Sequence, residues 1–209
     1  MPMFEAKLKP RLEFILSAVA NKMVALGITA DMVTLFGFLI NLVATFYVAT
    51  GRLVVGGILI LFGGSFDMID GAVARAQTNL RASGALLDSV IDRYSEGFLF
   101  LGALIYFYSL ESLIGIILAF GAWFGSILVS YVRARAEGLQ VTCKVGLMQR
   151  PERVVLLGAG TLLQGVLWHR FPIVQTNAVI LLCVLGVLTL TTHITALHRL
   201  IFSYQELNR

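Results

Sequence analysis

Charged residues are scarce in this sequence: aspartate, glutamate, lysine and arginine together make up 13% of its 209 residues. Soluble domains carry roughly a quarter charged residues, whereas here 58% of the residues are hydrophobic and the mean hydropathy is +0.86. This composition excludes an ordinary soluble globular protein and predicts an all-α integral membrane protein. At roughly 20 residues for each membrane helix plus connections, the length suits one domain of about six helices over residues 1–209.

Cysteine is also rare, since only Cys143 and Cys183 are present. The first lies in a predicted loop and the second in an apolar stretch, so no disulfide is expected between them. The first dozen residues lack the uninterrupted apolar core of a cleavable signal peptide, and we therefore expect the N-terminus to be retained.

Residues 1–26 have the pattern of an amphipathic helix. Apolar side chains recur at steps of three and four, with Lys7, Arg11 and Lys22 beside the stripe. Such a helix lies in the headgroup layer of a membrane, with its basic side chains reaching lipid phosphates. An ordinary amphipathic helix packed on the rest of the protein would show the same pattern, and both descriptions can hold together. Gly27 is expected to end the helix.

Longer apolar stretches predict six membrane helices, at residues 32–50, 53–77, 82–108, 113–136, 151–169 and 173–202, which form a bundle within residues 32–203. The short connections at 51–52 and 109–112 imply antiparallel neighbours. Gly121 and Gly125 lie one helical turn apart, which indicates either close packing within the bundle or a dimer face.

The distribution of basic residues predicts the orientation. With the N-terminus inside the cell, fourteen of the sixteen lysines and arginines fall in cytoplasmic segments, and only Arg52 and Arg170 fall outside. By the positive-inside rule this favours six spans with both termini cytoplasmic, in the cell membrane. Four aspartates, described next, then lie on the cytoplasmic side.

These aspartates stand in the otherwise apolar stretch 67–92. A charged side chain in low-dielectric surroundings is costly unless it is paired or ligated, which makes intramembrane acids a functional hypothesis. On a helix that advances 100° per residue, Asp67, Asp70, Gly71 and Ala74 share one face. The next helix carries Asp88 and Asp92 one turn apart, preceded by Gly84 on the same stripe. Because the connection between the helices is short, all four carboxylates can meet.

Four neighbouring anions repel each other unless a cation neutralises them. Oxygen-only ligands favour Mg²⁺ or Mn²⁺, and two such ions would suit a site that handles phosphate. Zinc is disfavoured because no Cys or His belongs to the cluster. Gly71 and Ala74 would let a large ligand approach the helix backbone, and Arg75 is placed to meet phosphate oxygens.

The residues alone also allow two roles for the acids that involve no bound metal. The acids could form a buried ion network with Arg75, Arg81 and Arg93, or they could line the pathway of a cation or proton transporter. A transporter, however, requires neither Gly71 nor Arg75.

The pattern Asp67-x2-Asp70-Gly71-x2-Ala74-Arg75-x8-Gly84-x3-Asp88-x3-Asp92 matches every position of a known signature. In this the sequence resembles the CDP-alcohol phosphotransferase family. The resemblance implies six spans, a polar cavity on the cytoplasmic side and a homodimer. It also implies transfer of a phosphatidyl-type group from a CDP-linked lipid, either CDP-diacylglycerol or an ether analogue, to an alcohol, with release of CMP. No nucleic-acid partner is expected.

The resemblance also implies roles for individual residues. The metal ions, two of Mg²⁺ or Mn²⁺, would be held by Asp67, Asp70, Asp88 and Asp92. Asp92 would in addition act as the general base on the acceptor hydroxyl. The CDP-lipid site would be formed by Thr34, Asp67, Gly71, Ala74, Arg75 and Gly84. Thr34 belongs to a stretch that is similar to the start of the first span in that family, where Thr29 can cap the helix.

The acceptor is indicated by basic runs outside the signature. Arg-Ala-Arg-Ala-Glu at 133–137 and Arg-Pro-Glu-Arg at 150–153 resemble the phosphatidylinositol phosphate synthase branch. By that resemblance Arg133, Arg153 and Arg199 would bind the phosphate of inositol phosphate. Glycerol 3-phosphate is the alternative acceptor, since it too carries a phosphate. The arginines could instead serve only topology and contacts with anionic lipids.

Overall fold

The computed structural model describes residues 16–77, 81–168 and 177–208, and the regular elements in those ranges are all helices. A first helix, α1, covers residues 16–25. Six longer helices follow: α2 (Ala30–Ala49), α3 (Leu53–Ala76), α4 (Ala82–Ser109), α5 (Leu113–Gly138), α6 (Arg150–Leu167) and α7 (Val179–Leu207). The predicted all-helical fold is confirmed. Residues 1–15 of the predicted amphipathic helix lie outside the described residues.

The predicted helix bounds agree with the structure to within a few positions for the first five spans, as far as they are described. The last helix differs most, because α7 continues past the predicted end at residue 202 to Leu207. The predicted end of the fifth span and start of the sixth lie within residues 169–176, which are not among the described residues.

The connection between α1 and α2 is set by local backbone chemistry. Gly27 has φ +77°, a left-handed conformation that a residue with a side chain adopts only with strain, and it ends α1 as expected. Thr29 then caps α2, because its Oγ1 accepts a hydrogen bond from the backbone N–H of Met32 at 3.3 Å. The predicted cap is confirmed, and it fixes where α2 begins.

The six long helices form a closed ring. In this ring α2 packs on α3, α3 on α6, α6 on α7, α7 on α5, α5 on α4, and α4 back on α2. The apolar core between them includes Ile60, Leu99, Phe107, Leu181 and Leu185, all nearly inaccessible to solvent. Consequently α3 and α4, which carry the aspartates, are both next to α2, while α6 and α5 lie on their other sides.

Glycines let some of these helices approach closely. A Cβ at Gly57 of α3 would lie 2.5 Å from the backbone N of Leu162 in α6. On α5, a Cβ at Gly121 would lie 2.9 Å from the side chain of Thr189, and one at Gly125 would meet Thr192, both in α7. Of the two roles considered for Gly121 and Gly125, packing within the bundle is therefore the one the structure supports.

The outer surface of the ring is apolar. Exposed side chains along α2 include Leu35, Phe36, Leu39, Val43 and Phe46. Four helices, α2, α3, α5 and α7, are long and apolar enough to cross a membrane. These features fit an integral membrane protein. Charged residues interrupt the other two long helices, near the middle of α4 and at the start of α6.

Candidate active site

The four aspartates come from α3 and α4, which follow each other in the chain but both pack on α2 rather than mainly on one another. Asp67 and Asp70 lie in the second half of α3, and Asp88 and Asp92 lie in the first half of α4. Asp88 is close enough to each of the other three for their like charges to interact. The four aspartates therefore lie in one region of the molecule, and we call them the acidic cluster.

A cavity of about 470 Å³ opens on one side of this cluster, toward α2. We call it the α2 cavity. Among the residues that line it are Thr34, Asp70, Gly71, Ala74, Gly84 and Asp88. Because the two glycines have no side chain and the alanine has only a methyl group, the backbones of α3 and α4 are open to the cavity. A bulky ligand can therefore approach two carboxylates here without steric hindrance.

Thr34 connects α2 to the acidic cluster. Its hydroxyl donates a hydrogen bond to Oδ2 of Asp70 at 2.8 Å and lies 3.1 Å from the carbonyl oxygen of Ala30. Asp70 is buried, at 6% exposed. The sequence predicted Thr34 as a ligand contact; in the structure it lines the cavity and also orients one of the predicted metal ligands.

A second cavity, of about 680 Å³, opens on the other side of the cluster, toward α5. We call it the α5 cavity. Its lining includes Asp92 and a set of basic side chains: Arg93, Arg133, Arg150, Arg153 and Arg199. Glu137 is the other acidic residue in the lining. Positive charge therefore predominates in the α5 cavity, which favours an anionic ligand.

Arg150, at the start of α6, reaches into the acidic cluster. Its Nη1 contacts Oδ2 of Asp67 and lies 2.7 Å from Oδ1 of Asp92. One guanidinium thus bridges α3 and α4. Arg93 is more distant, with its Nη1 3.8 Å from Oδ2 of Asp92.

The ion network considered as an alternative from the sequence is therefore present only in part. In the described residues neither Arg75 nor Arg81 forms an ion pair with an aspartate, and the principal basic partner is Arg150. The residues alone had not assigned Arg150 to the site.

Arg153 is held by a buried ion pair. Its Nε and Nη2 donate to the two carboxylate oxygens of Glu96 at 2.5 and 2.9 Å, and its Nη1 donates to the carbonyl oxygen of Met148 at 3.1 Å. Arg153 is 2% exposed. This bidentate contact fixes the plane of the guanidinium at the wall of the α5 cavity.

Arg199 and Arg133 complete the basic wall. Arg199, on α7, is buried and donates from Nε to the carbonyl oxygen of Val145 and from Nη1 to that of Val129, at 2.8 and 2.9 Å. It thereby fastens the 139–149 segment to α5. Arg133 is exposed and donates to Oε1 of Glu137 at 2.8 Å. The structure brings the three predicted acceptor arginines to one cavity; that they bind an acceptor stays a prediction.

In the part of the chain that the structure describes, no three carboxylate, imidazole or thiolate groups converge as metal ligands. The guanidinium of Arg150 contacts both Asp67 and Asp92. Metal binding by the four aspartates stays a prediction.

Comparison with known proteins decides the family. Residues 27–204 match the CDP-alcohol phosphatidyltransferase family. The chain belongs to this family. It is 36% identical over 182 residues to archaetidylinositol phosphate synthase of Methanothermobacter thermautotrophicus, which covers 87% of this chain and 86% of the relative. Phosphatidylinositol phosphate synthase of Mycobacteroides abscessus is 33% identical over 161 residues, covering 76% and 73% of the two chains.

Solved structures agree. Phosphatidylinositol phosphate synthase of Mycobacterium tuberculosis with CDP-DAG bound superposes with a TM-score of 0.78 at 30% identity, covering 91% of this chain and 94% of that one. The same enzyme in complex with manganese and citrate gives a TM-score of 0.77 at 28% identity, covering 90% and 88%. The expected family is confirmed, and the chain is an enzyme of the CDP-alcohol phosphatidyltransferase family, similar to phosphatidylinositol phosphate synthases.

Asp67 and Arg75 were predicted to belong to the CDP-lipid site, and neither is among the residues that line the α2 cavity. Their place in a CDP-lipid site stays a prediction. Asp67 contacts Arg150, and Arg75 lines a further cavity, of about 490 Å³, between α3 and α1 with Ser17 and Asn21. The other four predicted residues, Thr34, Gly71, Ala74 and Gly84, do line the α2 cavity.

Glu96 is the other residue that the sequence pattern did not reveal. It lies one helical turn after Asp92, so it continues the stripe of Asp88 and Asp92 on α4. That spacing was a usable signal. Its partner Arg153 is 57 positions away in the sequence, which local periodicity cannot reveal.

Proposed function

We propose that this enzyme transfers a phosphatidyl-type group from a CDP-linked lipid to inositol phosphate and releases CMP. The observation that carries the proposal is the placement of two cavities against one acidic cluster. Asp70 and Asp88 line the α2 cavity, and Asp92 lines the arginine-rich α5 cavity. Two substrates can therefore meet at the aspartates from opposite sides.

The α2 cavity suits the nucleotide lipid. Gly71, Ala74 and Gly84 leave room for a diphosphate to approach the backbone of two helices, and a Cβ at Gly84 would lie only 3.2 Å from Oδ1 of Asp31. The structural relative described with CDP-DAG bound supports this type of donor. The family signature assigns Arg75 and Asp67 to the proposed donor site as well, and we place them at the edge of that site.

The aspartates fit a divalent metal. Within the described residues Asp70 and Asp88 have no ion-pair partner, although Arg81 also lines the α2 cavity, so two carboxylates with hard oxygen donors face this cavity without a direct cationic contact. We propose that Asp67, Asp70, Asp88 and Asp92 hold Mg²⁺ or Mn²⁺, two ions in number, and the manganese complex of the relative supports such a metal. When bound, the metal neutralises charge on the diphosphate and on the CMP leaving group.

Asp92 is placed for proton transfer. It belongs to the acidic cluster and at the same time lines the α5 cavity. A carboxylate there can accept the proton of an acceptor hydroxyl as that oxygen attacks the lipid-linked phosphorus. The new phosphorus–oxygen bond forms on the acceptor side while the bond to CMP breaks on the donor side.

The arginine wall suits the acceptor phosphate. Arg153 and Arg199 are held in place by Glu96 and by backbone carbonyls, so they are preorganised, while Arg133 lies at the exposed rim. Several charge-assisted hydrogen bonds suit a phosphate dianion. The names of the relatives support inositol phosphate; glycerol 3-phosphate would use the same wall. Family membership leaves the transporter alternative without support.

We further propose six membrane spans with both termini cytoplasmic, in the cell membrane, with the active site facing the cytoplasm and the enzyme forming a homodimer. The charge distribution supports the orientation, because fourteen of sixteen basic residues then lie inside. The ring of six long helices supports the span count, since α4 and α6 are equal members of it.

The test is a reconstituted assay with purified full-length protein. CDP-diacylglycerol or its ether analogue is supplied with Mg²⁺ or Mn²⁺ and with inositol phosphate, glycerol 3-phosphate, inositol or serine in turn. We expect CMP and a new phospholipid with inositol phosphate, and loss of both when EDTA removes the metal. CMP release with glycerol 3-phosphate alone would show that glycerol 3-phosphate, and not inositol phosphate, is the acceptor. Absence of CMP with every acceptor would refute the proposed enzyme function.

A further inference from the structure

Arg150 occupies an unusual position for a basic residue near a metal site. Its side chain is 13% exposed, and Nη1 contacts both Asp67 and Asp92, which come from different helices. Both carboxylates belong to the proposed metal ligands. The Nε of Arg150 is buried and has no hydrogen-bond partner among the described residues, so the guanidinium makes its contacts only through its tip.

A guanidinium and a divalent metal compete for the negative charge of these two carboxylates. Arginine stays protonated under all ordinary conditions, so its positive charge is permanent. A metal ion held by Asp67 and Asp92 would repel the guanidinium at close range. Binding of the metal therefore favours withdrawal of the guanidinium, and the guanidinium weakens binding of the metal.

The surroundings of Arg150 allow it to leave. The residue is at the start of α6, directly before Pro151, and its long side chain lines the α5 cavity of about 680 Å³. That volume can accommodate a displaced side chain. In contrast Arg153, one turn later, is locked by Glu96 and a backbone carbonyl, so it cannot take over this role.

We propose that Arg150 is a built-in counter-cation: it neutralises Asp67 and Asp92 when no metal is bound and is displaced into the α5 cavity when a divalent metal binds. This inference rests on the proposed metal-dependent function. It assigns Arg150 as a positioning residue that stabilises the metal-free bundle by connecting α3, α4 and α6, and that lowers the affinity of the site for metal.

The direct test is the affinity for Mn²⁺, measured on purified full-length protein by the electron paramagnetic resonance signal of free Mn²⁺. The Arg150→Gln variant removes the competing charge, and we expect its Kd for Mn²⁺ to fall by about tenfold, since a charge-assisted contact no longer has to be broken. Arg135→Gln is the matched control. Arg135 is exposed in the basic run at the end of α5 and should leave the Kd unchanged.

Thermal stability gives a second readout that does not depend on turnover. In EDTA, Arg150→Gln leaves Asp67 and Asp92 without their counter-cation, so we expect a lower Tm than that of the wild type. Added Mn²⁺ should then raise the Tm of the variant by more than that of the wild type, because a tighter ligand stabilises the folded state more. Should the Gln variant fail to fold, Arg150→Met replaces it, because it keeps a long side chain without the charge, and its Kd for Mn²⁺ should likewise lie below the wild-type value.

The outcomes separate the two proposals. A Kd that is unchanged or higher in the Arg150 variants would overturn this inference, because Arg150 would then be neutral or would organise the carboxylates for the metal. Absence of Mn²⁺ binding by the wild-type protein in the millimolar range would instead contradict the proposed metal-dependent function itself.

Discussion

Asp92 shows how one residue can serve both sides of the site. It contacts Arg150 within the acidic cluster and also lines the α5 cavity, where the acceptor is proposed to bind. None of the other three aspartates is among the residues that line this cavity. Asp92 is therefore the aspartate best placed to accept the proton of an acceptor hydroxyl.

We predict that Asp92→Asn strongly lowers the rate of CMP release. An amide cannot accept the proton, and positioned general bases contribute about 100-fold to 10,000-fold to a rate. We expect kcat for CMP release to fall by that order while binding of the CDP-linked lipid, measured by equilibrium dialysis of labelled donor, stays within a few-fold of wild type. The control Glu111→Gln changes an exposed carboxylate in the turn between α4 and α5 and should keep full activity. Substantial turnover in the Asp92 variant would exclude its role as base.

The sequence located the aspartates because charge in an apolar stretch is conspicuous and because helical spacing places them on shared faces. It did not locate the partners of those charges. Arg150 is 83 positions from Asp67, and Arg153 is 57 positions from Glu96. Such pairs depend on which helices become neighbours, and an arginine before a helix looks the same whether it meets solvent, lipid or an aspartate.

At the scale of helices, the distance between α3 and α6 sets the geometry of the site. The first carries Asp67 and the second carries Arg150 and Arg153. Their close approach depends on glycine: a Cβ at Gly57 would lie 2.5 Å from the backbone N of Leu162. Because backbone cannot rotate away as a side chain can, any added atom must push the helices apart.

We therefore predict that Gly57→Ala lowers stability by about 1–3 kcal/mol, the usual cost of overpacking. The matched control is Gly186→Ala in α7, where no atom lies within 4 Å of the added Cβ. Alanine is the better helix former by about 1 kcal/mol, so the control should be neutral or stabilised. Thermal unfolding of both variants in detergent measures the difference. Equal effects at the two positions would show that α3 and α6 do not depend on this contact.

Helix bounds were predictable because apolar runs and turn residues such as Gly27 and Gly51 are local signals. The order of helices in the ring was not. Short turns implied that α2 pairs with α3, α3 with α4 and α4 with α5, but α3 and α4 pack mainly on α2 rather than on one another. The neighbours that build the site, α3 with α6 and α2 with α4, are chosen by packing of glycines and core side chains across the bundle.

At the scale of the whole molecule, charge and hydrophobicity together determine orientation in the membrane. The apolar belt on the outside of α2, α3, α5 and α7 provides the membrane-spanning surface. The arginine wall of the α5 cavity and the acidic cluster lie near the end of the bundle formed by the second half of α3 and the start of α6. By the positive-inside rule we propose that this end faces the cytoplasm, where a water-soluble acceptor is available and CMP can be released.

Cysteine labelling tests this orientation. In a background with Cys143→Ala and Cys183→Ala, single cysteines are introduced as Glu111→Cys, Lys144→Cys and Asn208→Cys, all at exposed positions. A membrane-impermeant maleimide added to intact cells should label only the first, which lies in the α4–α5 turn on the outer side. The other two should be labelled only after the membrane is permeabilised. The reverse labelling pattern would show that the enzyme has the opposite orientation, with its acceptor cavity outside the cell. Labelling of position 144 but not 208 from outside would mean that α6 and α7 do not both cross the membrane. The six-span topology would then be wrong, although the six helices form a closed ring.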